Sequence, residues 1–253
     1  MPLPVAAALL GLLGAALGSF ILTVVDRLEH DQKWWRGRSR CERCRRTLQA
    51  WELIPIVSAV LLRNRCRTCS ANFGYWHLGV ELGLAILFVL AVWLPPELGT
   101  DSLALRLAII SLLAALFVSD VRYGSVPDQI SVPAILLVFL AAALQGQIAT
   151  SLLGAGVGCL VFALQYIGSK GRWVGSGDIR LGLLIGALAG WPYVLATLLL
   201  AYVGGALIAL ILLAMRRVGR TSKLPMGAFL LPAALVIQWY GPILKGWLFV
   251  LTN

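Results

Sequence analysis

Eight apolar runs, at roughly 3–25, 76–94, 102–119, 129–145, 148–167, 178–190, 192–215 and 227–250, dictate most of what this 253-residue chain can fold into. Each is broken at proline, glycine or charge, and most approach the ~20 apolar residues that a bilayer-crossing helix needs. The chain is 60% hydrophobic and only 13% charged, with a mean hydropathy of +0.88. Soluble domains carry about 25% charged residues. The runs therefore predict an all-α polytopic membrane protein with about eight transmembrane helices. The run at 178–190 is short and rich in glycine, which predicts a place inside the bundle. The first run lacks a basic n-region and exceeds the ~7–15 residues of a signal-peptide h-region, so it reads as a retained helix.

Basic residues sort onto alternate connections. Residues 27–77 hold eleven of the 21 lysines and arginines, from Arg27 to Arg67. Arg122 follows the third run, Lys170, Arg172 and Arg180 lie after the fifth, and Arg216, Arg217, Arg220 and Lys223 follow the seventh. The connections at 95–101, 145–151 and 190–193 have none, and only Arg106 and Lys245 depart from the scheme. This alternation predicts eight spans, both termini outside, and basic loops in the cytoplasm. It accounts for the net charge of +10 without a nucleic-acid partner, which such a charge would raise in a soluble protein. Asp120, Asp128 and Asp178 then lie toward the cytoplasmic side. Three parts follow: a first transmembrane helix over 1–26, a cytoplasmic four-cysteine loop domain over 27–77, and a helical bundle over 78–253.

The loop domain contains Cys41-x-x-Cys44 and Cys66-x-x-Cys69. Cytosolic thiols stay reduced, so two such pairs point to a tetrahedral thiolate site for structural Zn²⁺, a zinc knuckle that folds a segment too small for its own core. Redox use or spare thiols are the alternatives. Cys159 sits in an apolar helix as a small packing residue. The run from Trp51 to Arg63 is apolar enough to lie against the membrane surface or the bundle. His77, after Phe73, Tyr75 and Trp76, reads as an interface anchor or cap before a ligand. Glu81, one turn further on, either pairs with a loop arginine or serves a site.

Three carboxylates carry the chemistry. Gly175-Ser176-Gly177-Asp178 opens an apolar run with two glycines that let the backbone bend and approach closely, and an acidic residue there marks a functional site. Asp120 ends the third run, with Arg122 as its evident alternative partner. Asp128 follows Val126-Pro127, which equally suits a helix N-cap. Two carboxylates held close cannot both ionise and share a proton, the arrangement of an aspartic protease. With only two histidines, no compelling Ser-His-Asp or His-Glu-x-x-His arrangement exists. A zinc-binding transporter or scaffold is the rival class, but it favours mid-membrane carboxylates and internal repeats.

Read together, these residues resemble the type IV prepilin leader peptidases of bacterial membranes. The matches run nearly the whole chain in order: Gly18-Ser19-Phe20, Val24-Val25-x-Arg27-Leu28, the two cysteine pairs, Ile54-Pro55-x-x-Ser58 and Leu62-Arg63. They continue with Asp120, Pro127-Asp128, Gly175-x-Gly177-Asp178 and Pro225-x-Gly227. The resemblance implies an aspartic endopeptidase of the bacterial cytoplasmic (inner) membrane, working at its cytoplasmic face on prepilins or pseudopilins, and cutting after the Gly that ends a short basic leader. Asp120 and Asp178 match the catalytic pair; Gly175, Gly177 and Asp128 are supporting. Members with the four-cysteine loop usually also methylate the new N-terminal amine with S-adenosylmethionine, so the resemblance implies that second activity, with a peptidase lacking methyl transfer as the alternative and Glu81 a candidate near that cofactor. The chain departs from the family in lacking an Asn after Gly18-Ser19-Phe20, in Glu42 after the first knuckle cysteine, and in Trp51.

Overall fold

The computed structural model describes residues 3–35, 37–41, 43–93, 102–217, 219 and 224–252. The connection at 95–101, together with Arg36, Glu42, Arg220 and Lys223, lies outside the described residues. Regular structure among the described residues is helical, and two isolated antiparallel bridges accompany it. The chain forms two compact units, Met1–Leu94 and Pro95–Asn253.

In the first unit, α1 (Leu3–Glu29) leads through a 3₁₀ turn (Ala50–Leu53) and the five-residue α2 (Val57–Leu61) to α3 (Trp76–Trp93). Helix α1 continues four residues beyond its apolar run, because Arg27, Leu28 and Glu29 are good helix formers. Its buried residues, Gly14, Ala15, Gly18, Ile21, Leu22 and Val25, recur at helical spacing and form one stripe. Glycines on that stripe meet α3 in antiparallel order. A Cβ at Gly11 would come 3.3 Å from Val89, one at Gly14 2.9 Å from the Ala85 Cα, and one at Gly18 2.9 Å from the Glu81 Cα. Small residues thus let the two backbones approach as membrane helices do.

The second unit contains α4 (Leu103–Tyr123), α5 (Asp128–Leu144), α6 (Ile148–Ser169), α7 (Ser176–Ala189), α8 (Tyr193–Ala214) and α9 (Gly227–Thr252). Helix α7 has only 14 residues, about 21 Å of helix, and packs against α5, α6, α8 and α9. Leu181, Gly182, Leu184, Ile185, Gly186, Ala187 and Ala189 are all buried, the all-round burial expected of an interior helix. Its closest neighbour is α6, where Gly154 and Gly158 face Gly182 and Gly186, and a Cβ on any of the four would collide with the opposing glycine's backbone. Replacing Gly158 by Val therefore separates α6 from α7 and is expected to cost roughly 3 kcal/mol or more. Gly156 on the same helix has nothing within 4 Å, so Gly156→Ala serves as the control. Thermal unfolding in detergent should show a large drop for Gly158→Val and none for Gly156→Ala.

Four helices among the described residues, α1, α4, α6 and α8, are long and apolar enough to cross a bilayer. Shorter apolar stretches accompany them at Trp76–Val92, Asp128–Leu144 and Gly227–Tyr240. The chain is a multi-pass membrane protein.

Candidate active site

The apolar run ending at Asp120 becomes a helix that goes three residues further. Gly124 closes α4 at φ +65° and donates its N–H to the Asp120 carbonyl at 2.8 Å, the left-handed cap that glycine adopts at little cost. Asp120 consequently lies inside the last turn, only 5% exposed. Its Oδ2 accepts the Ala228 N–H at 3.1 Å, in the first turn of α9, where free N–H groups favour a carboxylate. Arg122, the alternative partner, has its guanidinium over the Tyr123 ring, 5.4 Å from the centroid.

Asp178 is the third residue of α7, since the helix starts two residues earlier than its apolar run. Its Oδ2 accepts the Gly175 N–H at 2.7 Å, so the carboxylate caps the helix it belongs to. The two glycines of the motif do different things. A Cβ at Gly177 would come 2.9 Å from Val126 Cγ2, and that closeness requires glycine. A Cβ at Gly175 would touch nothing closer than Asp178 Oδ2 at 3.7 Å, and its φ of −84° suits any residue. Gly175 leaves open space beside the Asp178 carboxylate.

Three ties bring the first turn of α7 to the loop that follows Asp120. Val126 packs on Gly177, Arg180 forms an ion pair with Asp128, and Arg180 Nη1 donates to the Val126 carbonyl at 3.5 Å. Asp128 is the first residue of α5 with Pro127 in the cap position, so the expected capping role passes to Pro127 and Asp128 instead holds Arg180. Gly227 completes the closure: a Cβ there would lie 2.7 Å from Asp120 Oδ2 and 2.9 Å from Leu181 Cδ1. Leu181 is three residues beyond Asp178 on the same face of α7, so Asp120, Gly227 and that face converge. A methyl group at 227 would push the Asp120 carboxylate from its place. Gly227→Ala is therefore expected to lower the melting temperature, because the added Cβ overpacks against Asp120 and Leu181 at a cost of about 1–3 kcal/mol. Gly175→Ala should leave the melting temperature unchanged, and parallel thermal unfolding in detergent separates the two. Reasoning from sequence named Gly227 as part of the Pro225-x-Gly227 match and Arg180 as a loop cation, but gave neither its contact with Asp120 or Asp128.

In the first unit, the four cysteines converge. All four Sγ atoms lie within 4.8 Å of one another, with Cys41 to Cys69 at 3.7 Å and Cys44 to Cys66 at 3.9 Å. A tetrahedron with Zn–S near 2.3 Å has edges of about 3.8 Å, whereas a disulfide would need about 2.05 Å. The donors fit zinc. The two halves repeat at an offset of 25 residues. Cys41 N–H donates to the Arg46 carbonyl and Cys66 N–H to the Ala71 carbonyl; Arg45 and Ser70 donate back to those cysteines. Arg45 and Ser70 are both left-handed, at φ +56° and +54°, and bridges Arg40–Thr47 and Arg65–Asn72 flank the pairs.

Charges around the knuckles are matched. N–H groups of Cys69 and Thr68 lower the Cys66 thiol to about 6. At Cys69 the Ala71 N–H acts the same way, but burial and the sulfurs of Cys44, Cys66 and Cys41 outweigh it and push that thiol up to about 11. Such mutual opposition is what a cation at the centre relieves. Arg46 reaches Cys66 on one side and makes a two-pronged pair with Glu52 on the other, at 2.9 and 2.5 Å. Glu52 is held below the usual carboxylate range first by Arg46 and also by the Gln49 N–H. Glu81 is 5% exposed, and its Oε2 accepts the Ile56 N–H at 2.7 Å. Its carboxylate thus fixes the start of α2. His77 is half-buried near the start of α3.

Comparison with known proteins agrees with both units. Residues 12–94 match the bacterial peptidase A24 N-terminal domain, and residues 107–210 match the type IV leader peptidase family. A prepilin leader peptidase/N-methyltransferase of Myxococcus xanthus (strain DK1622) is 35% identical over 231 residues, 87% of this chain and 67% of that one. One of Bacillus subtilis (strain 168) is 32% identical over 239 residues, 92% of this chain and 94% of its own. A third, of Pseudomonas aeruginosa, is 28% identical over 260 residues, 91% and 89% of the two chains. No solved structure matches.

Proposed function

The chain belongs to the type IV leader peptidase family, and from that premise we propose how it works: Asp120 and Asp178 form the catalytic pair of a prepilin peptidase whose product is then N-methylated. The enzyme removes the leader from prepilins and methylates the new N-terminus. One observation supports the catalytic assignment: Asp120, Gly227 and Leu181 of α7, three residues beyond Asp178, meet at a single point.

The two carboxylates hold one proton between them, and the proton belongs to the pair. The ionised member takes a proton from a water whose oxygen attacks the peptide carbonyl carbon, while the protonated member donates to the carbonyl oxygen. Collapse of the tetrahedral species breaks the C–N bond, and the departing nitrogen leaves as an amine with the second proton. The backbone N–H groups at the starts of α7 and α9 keep each carboxylate aimed, and the space beside Gly175 admits an extended substrate strand. Asp128 and Arg180 act as positioning residues, tying the Asp120 loop to the Asp178 helix. S-adenosylmethionine would supply the methyl group, the new N–C bond forming as the S–C bond breaks to leave a neutral thioether and the amine gives up one proton, and pseudopilins carrying the same leader are substrates alongside prepilins.

Cys41, Cys44, Cys66 and Cys69 hold one Zn²⁺, which supplies folding free energy to the loop and takes no part in hydrolysis. The eight long helices, α1 and α3 to α9, each cross the bacterial inner membrane. The basic connections lie in the cytoplasm, and the aspartates sit at that face, near helix ends. Mass spectrometry of a prepilin's mature N-terminus, after incubation with the solubilised full chain with and without S-adenosylmethionine, tests the proposal. Cleavage in both samples and a mass gain of one CH₂ only with the donor is the expected result. An uncut prepilin would overturn the peptidase assignment.

A further inference from the structure

The segment from Leu53 to Leu61 presents a surface that the peptidase reaction does not use. Leu53, Ile54, Val57, Val60 and Leu61 are 41, 46, 48, 65 and 69% exposed. Five large apolar side chains exposed within nine residues form a patch of the kind that marks contact with a partner or a membrane. We propose that this patch is an interfacial lipid anchor, with α2 seated in the cytoplasmic leaflet at the headgroup–acyl boundary and Arg63, Arg65 and Arg67 on anionic headgroups.

Depth carries the inference, which rests on α3 being a spanning helix. The Ile56 N–H that opens α2 is bonded to the Glu81 carboxylate, and Glu81 is five residues into α3, about 7–8 Å along its axis. Tyr75 and Trp76, 80 and 43% exposed at the head of α3, mark the belt where aromatic side chains sit at an interface. The start of α2 is therefore held about 7–8 Å inward from that belt, and interfacial helices bury their apolar face about 5–10 Å deep. The bond is made at a cost. Ile56 sits at φ +63°, a conformation that β-branched residues avoid. Immediately after α2 the chain turns basic, and Arg63, Arg65 and Arg67 are exposed. Residues 27–77 carry eleven lysines and arginines against four carboxylates. A surface so charged suits an anionic leaflet, to which each basic residue near it adds attraction, and repels a basic leader peptide.

The full, zinc-loaded chain in vesicles of mixed phosphatidylglycerol and phosphatidylcholine tests this, with an environment-sensitive fluorescent amino acid placed singly at position 60, 86 or 43. Lipids brominated along their chains act as quenchers. Ile86 is a half-exposed residue of α3 and Arg43 an exposed knuckle residue. Quenching at 60 of at least half that at 86, with none at 43, is the expected result. Glu81→Ala should cut the quenching at 60 at least twofold while leaving one zinc per chain. Quenching at 86 without quenching at 60 would overturn the anchor and leave the span intact; loss at both would overturn the span itself. A response at 60 to added prepilin, in place of lipid, would reassign the patch to substrate and also overturn the anchor.

Discussion

Asp120→Asn and Asp178→Asn are each expected to leave a prepilin uncut, with cleavage slowed by roughly 10³-fold or more. General acid–base groups contribute about 10²–10⁴ in rate, and here one shared proton serves both roles, so removing either carboxylate disables both halves of the exchange. The substitution is chosen to spare the fold. An asparagine oxygen at 120 still accepts the Ala228 N–H, and one at 178 still accepts the Gly175 N–H. Melting temperatures should therefore stay within a few degrees of the parent, since each kcal/mol is worth about 2–4 °C in a chain of this size. Lengthening instead of neutralising, as in Asp178→Glu, keeps the charge but moves it by about 1 Å, enough for a loss near 10²-fold. Electrophoretic and mass-spectrometric time courses of leader removal check all three. Full cleavage by either asparagine variant would end the two-carboxylate reading.

The second large effect concerns the metal. Cys66→Ser is expected to take bound zinc from one per chain to none and to unfold the segment between α1 and α3, because apparent zinc affinities of such sites amount to about 10–16 kcal/mol of folding free energy. Cys66 is 2% exposed and faces Arg46, so its loss also strands the charge that Arg46 divides between Glu52 and the sulfur. Metal analysis and limited trypsin digestion report the outcome, with the many arginines of 38–67 becoming cleavable. Zinc content unchanged in Cys66→Ser would remove the thiolate site. Acid should mimic the loss in part. Glu52 is held below its ordinary range, so the stability it lends is present above that range and falls away as the pH drops through the depressed value.

Much of this was legible in the residues. Eight apolar runs became helices among the described residues, α1 and α3 to α9, because in a chain this hydrophobic only Pro, Gly and charges interrupt them. The errors fell at the ends. Asp120 lies inside α4 because the real stop is Gly124, whose left-handed cap is a stronger terminator than a charge. Asp128 looked like a cap by its Pro-Asp context, yet its carboxylate was claimed by Arg180, 52 positions away in the chain. Cys spacing announced a metal, and distances near a ZnS₄ edge agree with it. Hidden were the contacts that need two distant stretches at once. Which glycines of α6 meet which of α7, the crowding of Gly227 on Asp120, and the hold of Glu81 on Ile56 all depend on packing that no local pattern encodes. The 25-residue repeat of the knuckles escaped for another reason: it is written in backbone hydrogen bonds, while the side chains between the cysteines differ.

That repeat has a kinetic corollary. Its two halves are alike in backbone but unequal in access: Cys41 and Cys66 are buried, Cys69 is half-buried and Cys44 faces solvent. A metal held by two independent clamps exchanges by releasing one arm while the other keeps its grip, and the arm that lets go first is the one water and competing thiols can reach. Loading and theft of a bound ion would thus both pass Cys44, on the half that lacks the partner Arg46 gives to Cys66.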